Sequence, residues 1–166
     1  MKRKEFLKTG FLAGAGIALS NITLSAHEND AKVFTSEEIK EFVFAAHADL
    51  DLVKEIADKN PLIINCANQS VYGDFETAIG GASHMGRKDI ADYLMSKGAR
   101  LDIFNLTFLG YTDVVKSLIS AFPQYLNAYG PHGFTLLHHA NVGKQTDFAN
   151  WLKSRGLSET RFLNIF

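Results

Sequence analysis

Gly133-Phe134-Thr135-Leu136-Leu137-His138-His139-Ala140 decides how this chain of 166 residues is read. A turn glycine leads into a Thr–Leu–His turn and a short apolar helix. Asp147-Phe148-Ala149-Asn150-Trp151-Leu152 follows as a second apolar helix, and Arg155-Gly156 closes the unit. The same order recurs upstream: Thr77-Ala78-Ile79-Gly80, then Ala82 and Gly86, then Asp89-Ile90-Ala91-Asp92-Tyr93-Leu94-Met95, then Lys97-Gly98-Ala99. Weaker copies run from Phe44 to Lys54 and from Leu106 to Ile119.

Apolar residues at spacings of three and four mark the helices of each unit. Val114, Val115, Leu118, Ile119 and Phe122 make one stripe, Ile90, Tyr93 and Leu94 a second, and Leu52, Val53 and Ile56 a third. Thr35 with Glu38 reads as a capping box opening the first helix. Thr112 and Thr146 are expected N-caps of second helices. Gly98 and Gly156 are expected at helix C-termini, and Pro61 and Pro123 just beyond helix ends. One such helix pair cannot bury its own apolar face, whereas a stack of pairs can. The expected fold is therefore all-α, a solenoid of about four helix-turn-helix repeats over residues 36–65, 74–101, 102–127 and 131–157. Residues 33–41 and the apolar tail of a 158–166 segment are expected to cap its two ends.

This pattern resembles the ankyrin repeat. The Thr-Pro-Leu-His-x-Ala turn of that family is matched by Thr135 to Ala140 with Leu136 for proline. It is matched more loosely by Thr77 to Ala82, with Ala78 for proline and Gly80 for histidine. The family's Gly-x-x-x-x-Val-x-x-Leu-Leu helix is matched from Gly110 through Ile119. Aligning Phe44, Ala82, Leu106 and Ala140 gives steps of 38, 24 and 34 residues, against a family period of about 33. The short step implies that the finger, the protruding turn between repeats, is missing before the third repeat. The long step implies an enlarged finger within residues 65–75. The resemblance implies structural turn roles for Thr77, Thr135, His138, Gly98 and Gly156, with His138 bonding its own turn and Thr135. It also implies a non-enzymatic scaffold that binds a protein.

Residues 1–26 read as an export signal ahead of a 27–166 domain. Lys2, Arg3, Lys4 and Lys8 precede an apolar run from Phe11 to Leu19, and Leu24-Ser25-Ala26 supplies small residues at the cleavage edge. Arg3 to Lys8 resembles the bacterial twin-arginine motif but has Lys4 where the second arginine belongs. A periplasmic or otherwise exported location is expected, with membrane attachment only through an uncleaved leader. Without the leader, 13 basic and 17 acidic residues remain, a net charge of −4. That acidic body argues against nucleic acid as the partner. The lone Cys66 has no partner for an internal disulfide and reads as a small buried side chain.

No catalytic set and no cofactor is expected: Ser70 and Ser83 lack a nucleophile-elbow context, and Asp49, Asp51, Glu55 and Asp58 read as one solvated face. Aromatic and polar residues in the fingers are the expected contacts of a monomeric module with its protein partner: Tyr72, Asp74, Tyr129 and His132, with His139 facing the same groove. Phe134 is expected to pack between fingers. No metal site is assigned; the alternative is a metal- or ligand-binding protein using His132 and His139.

Overall fold

Thr35 and Glu38 close a reciprocal capping box: the Glu38 N–H donates to Thr35 Oγ1 at 3.2 Å and the Thr35 N–H donates to Glu38 Oε2 at 2.8 Å. They open α1 (Ser36–Ala45), which turns Phe42, Val43 and Ala45 inward. The computed structural model describes residues 33–71 and 73–162; residues 1–32 (the leader among them), Tyr72 and residues 163–166 lie outside the described residues. The described chain is mostly helical. α2 (Leu50–Lys59) starts where the Asp49 carboxylate accepts the Leu52 N–H at 2.9 Å. Three more pairs follow: α3 (Ala78–His84) with α4 (Lys88–Ser96), α5 (Ile103–Leu109) with α6 (Thr112–Ala121), and α7 (Leu136–Val142) with α8 (Thr146–Ser154).

Local chemistry sets most of the boundaries. Thr77 Oγ1 accepts the Gly80 N–H at 3.2 Å and caps α3. Asp102 and Asn105 form a second capping box at α5. Gly98 and Gly156 follow α4 and α8 at φ +88° and +98°, backbone that a side chain would strain. Two expected caps move: Thr112 and Thr146 are the first helical residues, preceded by Tyr111 and Gln145, and neither boundary has a side-chain cap. Gln145 Nε2 instead donates to the Gly143 carbonyl at 3.0 Å. Pro61 and Pro123 begin short 3-10 turns, Pro61–Asn65 and Pro123–Asn127, directly after α2 and α6.

Where an enlarged finger was expected, within residues 65–75, the chain forms a β-hairpin, which the helical periodicity did not foreshadow. β1 (Ala67–Val71) pairs antiparallel with β2 (Asp74–Thr77), with Ala67 opposite Thr77, Asn68 opposite Glu76 and Gln69 opposite Phe75. A register shift follows between Gln69 and Val71.

The first helices pack side by side, α1 on α3, α3 on α5 and α5 on α7, and α2 meets α4 behind them. Small buried residues (Ala45, Ala46, Ala78, Ala82, Ala140) let these helices approach closely. One apolar core spans the first two pairs and takes in Phe108; a second, around Val115, Leu136, Leu137 and Leu152, spans the last two. A buried polar link joins α3 to α5, where Asn105 Nδ2 donates to Ser83 Oγ at 3.0 Å.

Only residues 97–102 connect α4 to α5, with no strand. With so short a connection there, β2 before α3 touches the Pro131–Gly133 turn before α7 directly. α3 also touches α7. The segment after α8 folds back on the same region: the Thr135 N–H donates to the Thr160 carbonyl and the Phe162 N–H to the Gly133 carbonyl, each at 3.0 Å. Among the described residues no helix is long and apolar enough to cross a membrane.

Candidate functional site

Strand alternation aims Asp74 and Glu76 inward and Phe75 outward, so the hairpin presents two carboxylates to the helices. Their relative exposures are 2% and 2%, against 59% for Phe75. Three histidines converge on Glu76. His84 ends α3, His47 lies in the turn after α1, and His132 sits in the Pro131–Gly133 turn. His84 Nε2 is 2.7 Å from Glu76 Oε1, while Nε2 of His47 and of His132 are each 3.4 Å from Oε2. One ligand atom from each of the four residues lies within 4.8 Å of the others.

The far ring nitrogens of His47 and His132 are fixed. His47 Nδ1 is 2.9 Å from the Val43 carbonyl, which can only accept, so Nδ1 carries the proton there. His132 Nδ1 meets Asp74 Oδ2 at 2.8 Å, and Asp74 also accepts the Ser70 hydroxyl at 2.7 Å and the His132 N–H at 3.0 Å. That backbone bond holds His132 at φ +57°, a left-handed conformation costing about 1 kcal/mol. Arg161 Nε pins the same residue by donating to its carbonyl at 2.6 Å. His84 is wedged between rings, stacked on Phe134 at 5.1 Å and edge-on to His47 at 4.9 Å. Its Nδ1 is buried without a hydrogen-bond partner. Gly81 admits the His47 ring over α3: a Cβ there would lie 2.8 Å from His47 Cε1.

Burial opposes the Glu76 charge, but the hydrogen bonds from His47 and His84 outweigh it and bring its pKa to about 2. The bond to Glu76 likewise raises His47, against its partial burial. A buried carboxylate ringed by three imidazoles can hold either protons or a cation.

Of the residues expected to meet a partner, Tyr129 is exposed, at 47%, and His132 is half-buried within the cluster. Tyr72 lies outside the described residues. Two expectations are corrected. Asp74 is closed off by its three hydrogen bonds. His139, at 1% exposure, is buried against Phe104 with Nδ1 2.8 Å from the Thr135 carbonyl. The suggested pairing of His132 with His139 therefore does not form, because the two rings serve different neighbours.

His138 is structural but differently bonded from expectation: Nε2 is 2.8 Å from the His84 carbonyl, and the ring stacks on Phe134 at 4.0 Å. Thr135 turns its hydroxyl away, donating to the Glu159 carbonyl at 2.6 Å. Cys66 is half-buried, and burial pushes its thiol pKa up, away from a reactive thiolate. Sequence reading passed over Glu76 and left His47 and His84 without a role. The short spacing between the second and third expected repeats was the available signal, since a short connection from α4 to α5 lets the hairpin and the turn before α7 meet. No family model and no curated protein matches the chain.

Proposed function

We propose that the chain is a divergent ankyrin-like solenoid acting as a non-enzymatic protein-binding module in the bacterial envelope. Side-by-side packing of the first helices over small residues supports the ankyrin-like reading. The signal-like leader supports the location. The observation that carries the binding role is a set of exposed aromatic rings on the first helix and both fingers. Phe44 on α1 is 60% exposed, Phe75 on β2 59% and Tyr129 47%. Rigid aromatic side chains left in water at turns and on a short helix are typical anchors of a protein interface. Lys40, Phe44, Asn68 and Ser70 line a groove between α1 and β1 beside them. A single protein seated in that groove would cover Phe44 and contact the hairpin backbone.

Capture from the envelope fraction with this chain as bait tests the reading, with Phe44→Ala, Phe75→Ala, Tyr129→Ala as the control bait. All three positions are exposed, so the control should keep its fold. The expected result is a partner whose purified form binds the control bait at least about tenfold more weakly. Equal binding to both baits, or no specific protein, would overturn it.

A further inference from the structure

We propose that Nε2 of His47, His84 and His132, together with the Glu76 carboxylate, form a tetrahedral site for a divalent transition-metal ion of the zinc type. Three imidazoles and a carboxylate are a donor set that such ions favour. With bonds of about 2.0–2.1 Å, a tetrahedral ion has donor–donor edges of about 3.4 Å. His47 and His132 each stand at 3.4 Å from Glu76 Oε2. The whole set already lies within 4.8 Å, so closing onto an ion needs only side-chain adjustment.

The surroundings match what a ligating histidine requires. A metal-bound imidazole donates its other N–H to a carbonyl or carboxylate, which fixes the ring and the tautomer. His47 does so to the Val43 carbonyl and His132 to Asp74. In both rings this leaves Nε2 as the inward nitrogen. Asp74 is itself oriented by Ser70, so the support extends a further layer. The third ring, His84, is 5% exposed; its Nε2 meets Glu76 Oε1 at 2.7 Å, a contact that an ion between them would replace, and its Nδ1 has no hydrogen-bond partner, so this ring is held by its packing against Phe134 and His47 rather than by an outer hydrogen bond. The absence of a side chain at Gly81 gives the His47 ring its place. The left-handed backbone at His132 aims that ring inward.

The site also has an entrance. Glu76 and His84 form a floor at 3% and 5% side-chain exposure, while His47 and His132 are 23% and 29% exposed. An ion would pass between those two rings and settle on the carboxylate. Its ligands come from α1's end, the hairpin, α3's end and the turn before α7. It would therefore tie together parts of the chain that the short connection from α4 to α5 allows to meet. Four protein ligands complete a tetrahedron, which makes this a structural ion. The inference is independent of whether the chain binds a protein.

The test uses the full chain purified without a polyhistidine tag, stripped with a chelator and titrated with zinc chloride alone. One zinc per chain is expected, bound more tightly than about 1 μM. Cobalt in its place should give the intense visible bands of a tetrahedral centre. His132→Gln and Glu76→Gln should each weaken zinc by at least about 100-fold, and Asp74→Asn by about 10–100-fold. Cys66→Ser should change nothing. No uptake by the folded wild-type chain, or unchanged affinity in folded His132→Gln and Glu76→Gln, would overturn the proposal. Should those variants unfold, the wild type still decides. Zinc should protect His47 and His132 from diethylpyrocarbonate, and equal modification with and without zinc would refute the site.

Discussion

His139 shows how one residue's environment sets a property of the whole fold. Burial, offset only in part by the bond to Thr135 and reinforced by the neighbouring His138 and His84, lowers its pKa to about 4. The unfolded chain takes up this proton near the ordinary value of about 6.5, and the folded chain does not until about 4. Its contribution to stability is therefore complete above about 6.5 and is lost as pH falls towards 4, by up to roughly tenfold in the folding equilibrium per pH unit. Burial lowers His138 in the same direction. Urea denaturation of wild type and His139→Gln between pH 7 and 4.5 should give a shallower acid loss in the variant; parallel profiles would refute this origin. None of this was legible in the sequence. His138 and His139 are adjacent and chemically alike, and only the helix phase decides which is swallowed by the core. The reading placed that phase one residue off in function: the structural hydrogen bond to the turn belongs to His139, and His138 reaches back to α3.

At the level of elements, the legible features were those whose cause is local. The Thr35–Glu38 box is a four-residue pattern, and both of its hydrogen bonds form. Thr35→Ala should lower stability by about 1 kcal/mol, measured by chemical denaturation, with little change in helix content. An unchanged midpoint would mean that α1 is held by packing alone. The apolar stripes likewise place Val53, Ile90, Leu94, Val115, Ile119 and Leu152 in the core. The hairpin escaped because alternation over so few residues is hard to separate from a loop, and because Asp74 and Glu76 look like surface residues. Their burial depends on His132 and His84, which lie far away in sequence. The N-caps of α6 and α8 were misplaced by one residue for a related reason. A threonine opening a helix reads as a cap whether or not its hydroxyl is used.

At the scale of the molecule, the sequence carried the helix pairs and the shortened connection before α5, but not what that connection brings together. Spacing along one chain says where a connection is short; only the packed helices say which side chains then meet. The tail is a second long-range feature. Residues 159–162 supply hydrogen-bond partners to Gly133 and Thr135, and Arg161 lies over the Phe134 ring at 5.2 Å. Deleting residues 158–166 should cost about 2–4 kcal/mol, because buried donors around Thr135 lose their acceptors. A thermal melt unchanged by the deletion would show that the tail adds nothing to the fold. A ladder of helix pairs joined only to their neighbours can fray from either end, one rung at a time. Here the backbone of His132 is bonded to Asp74 across 58 residues of chain. The last pair cannot peel away with this bond intact, so its opening is coupled to that of the hairpin before the second pair, and slow hydrogen exchange should be shared between the hairpin and the turn before α7.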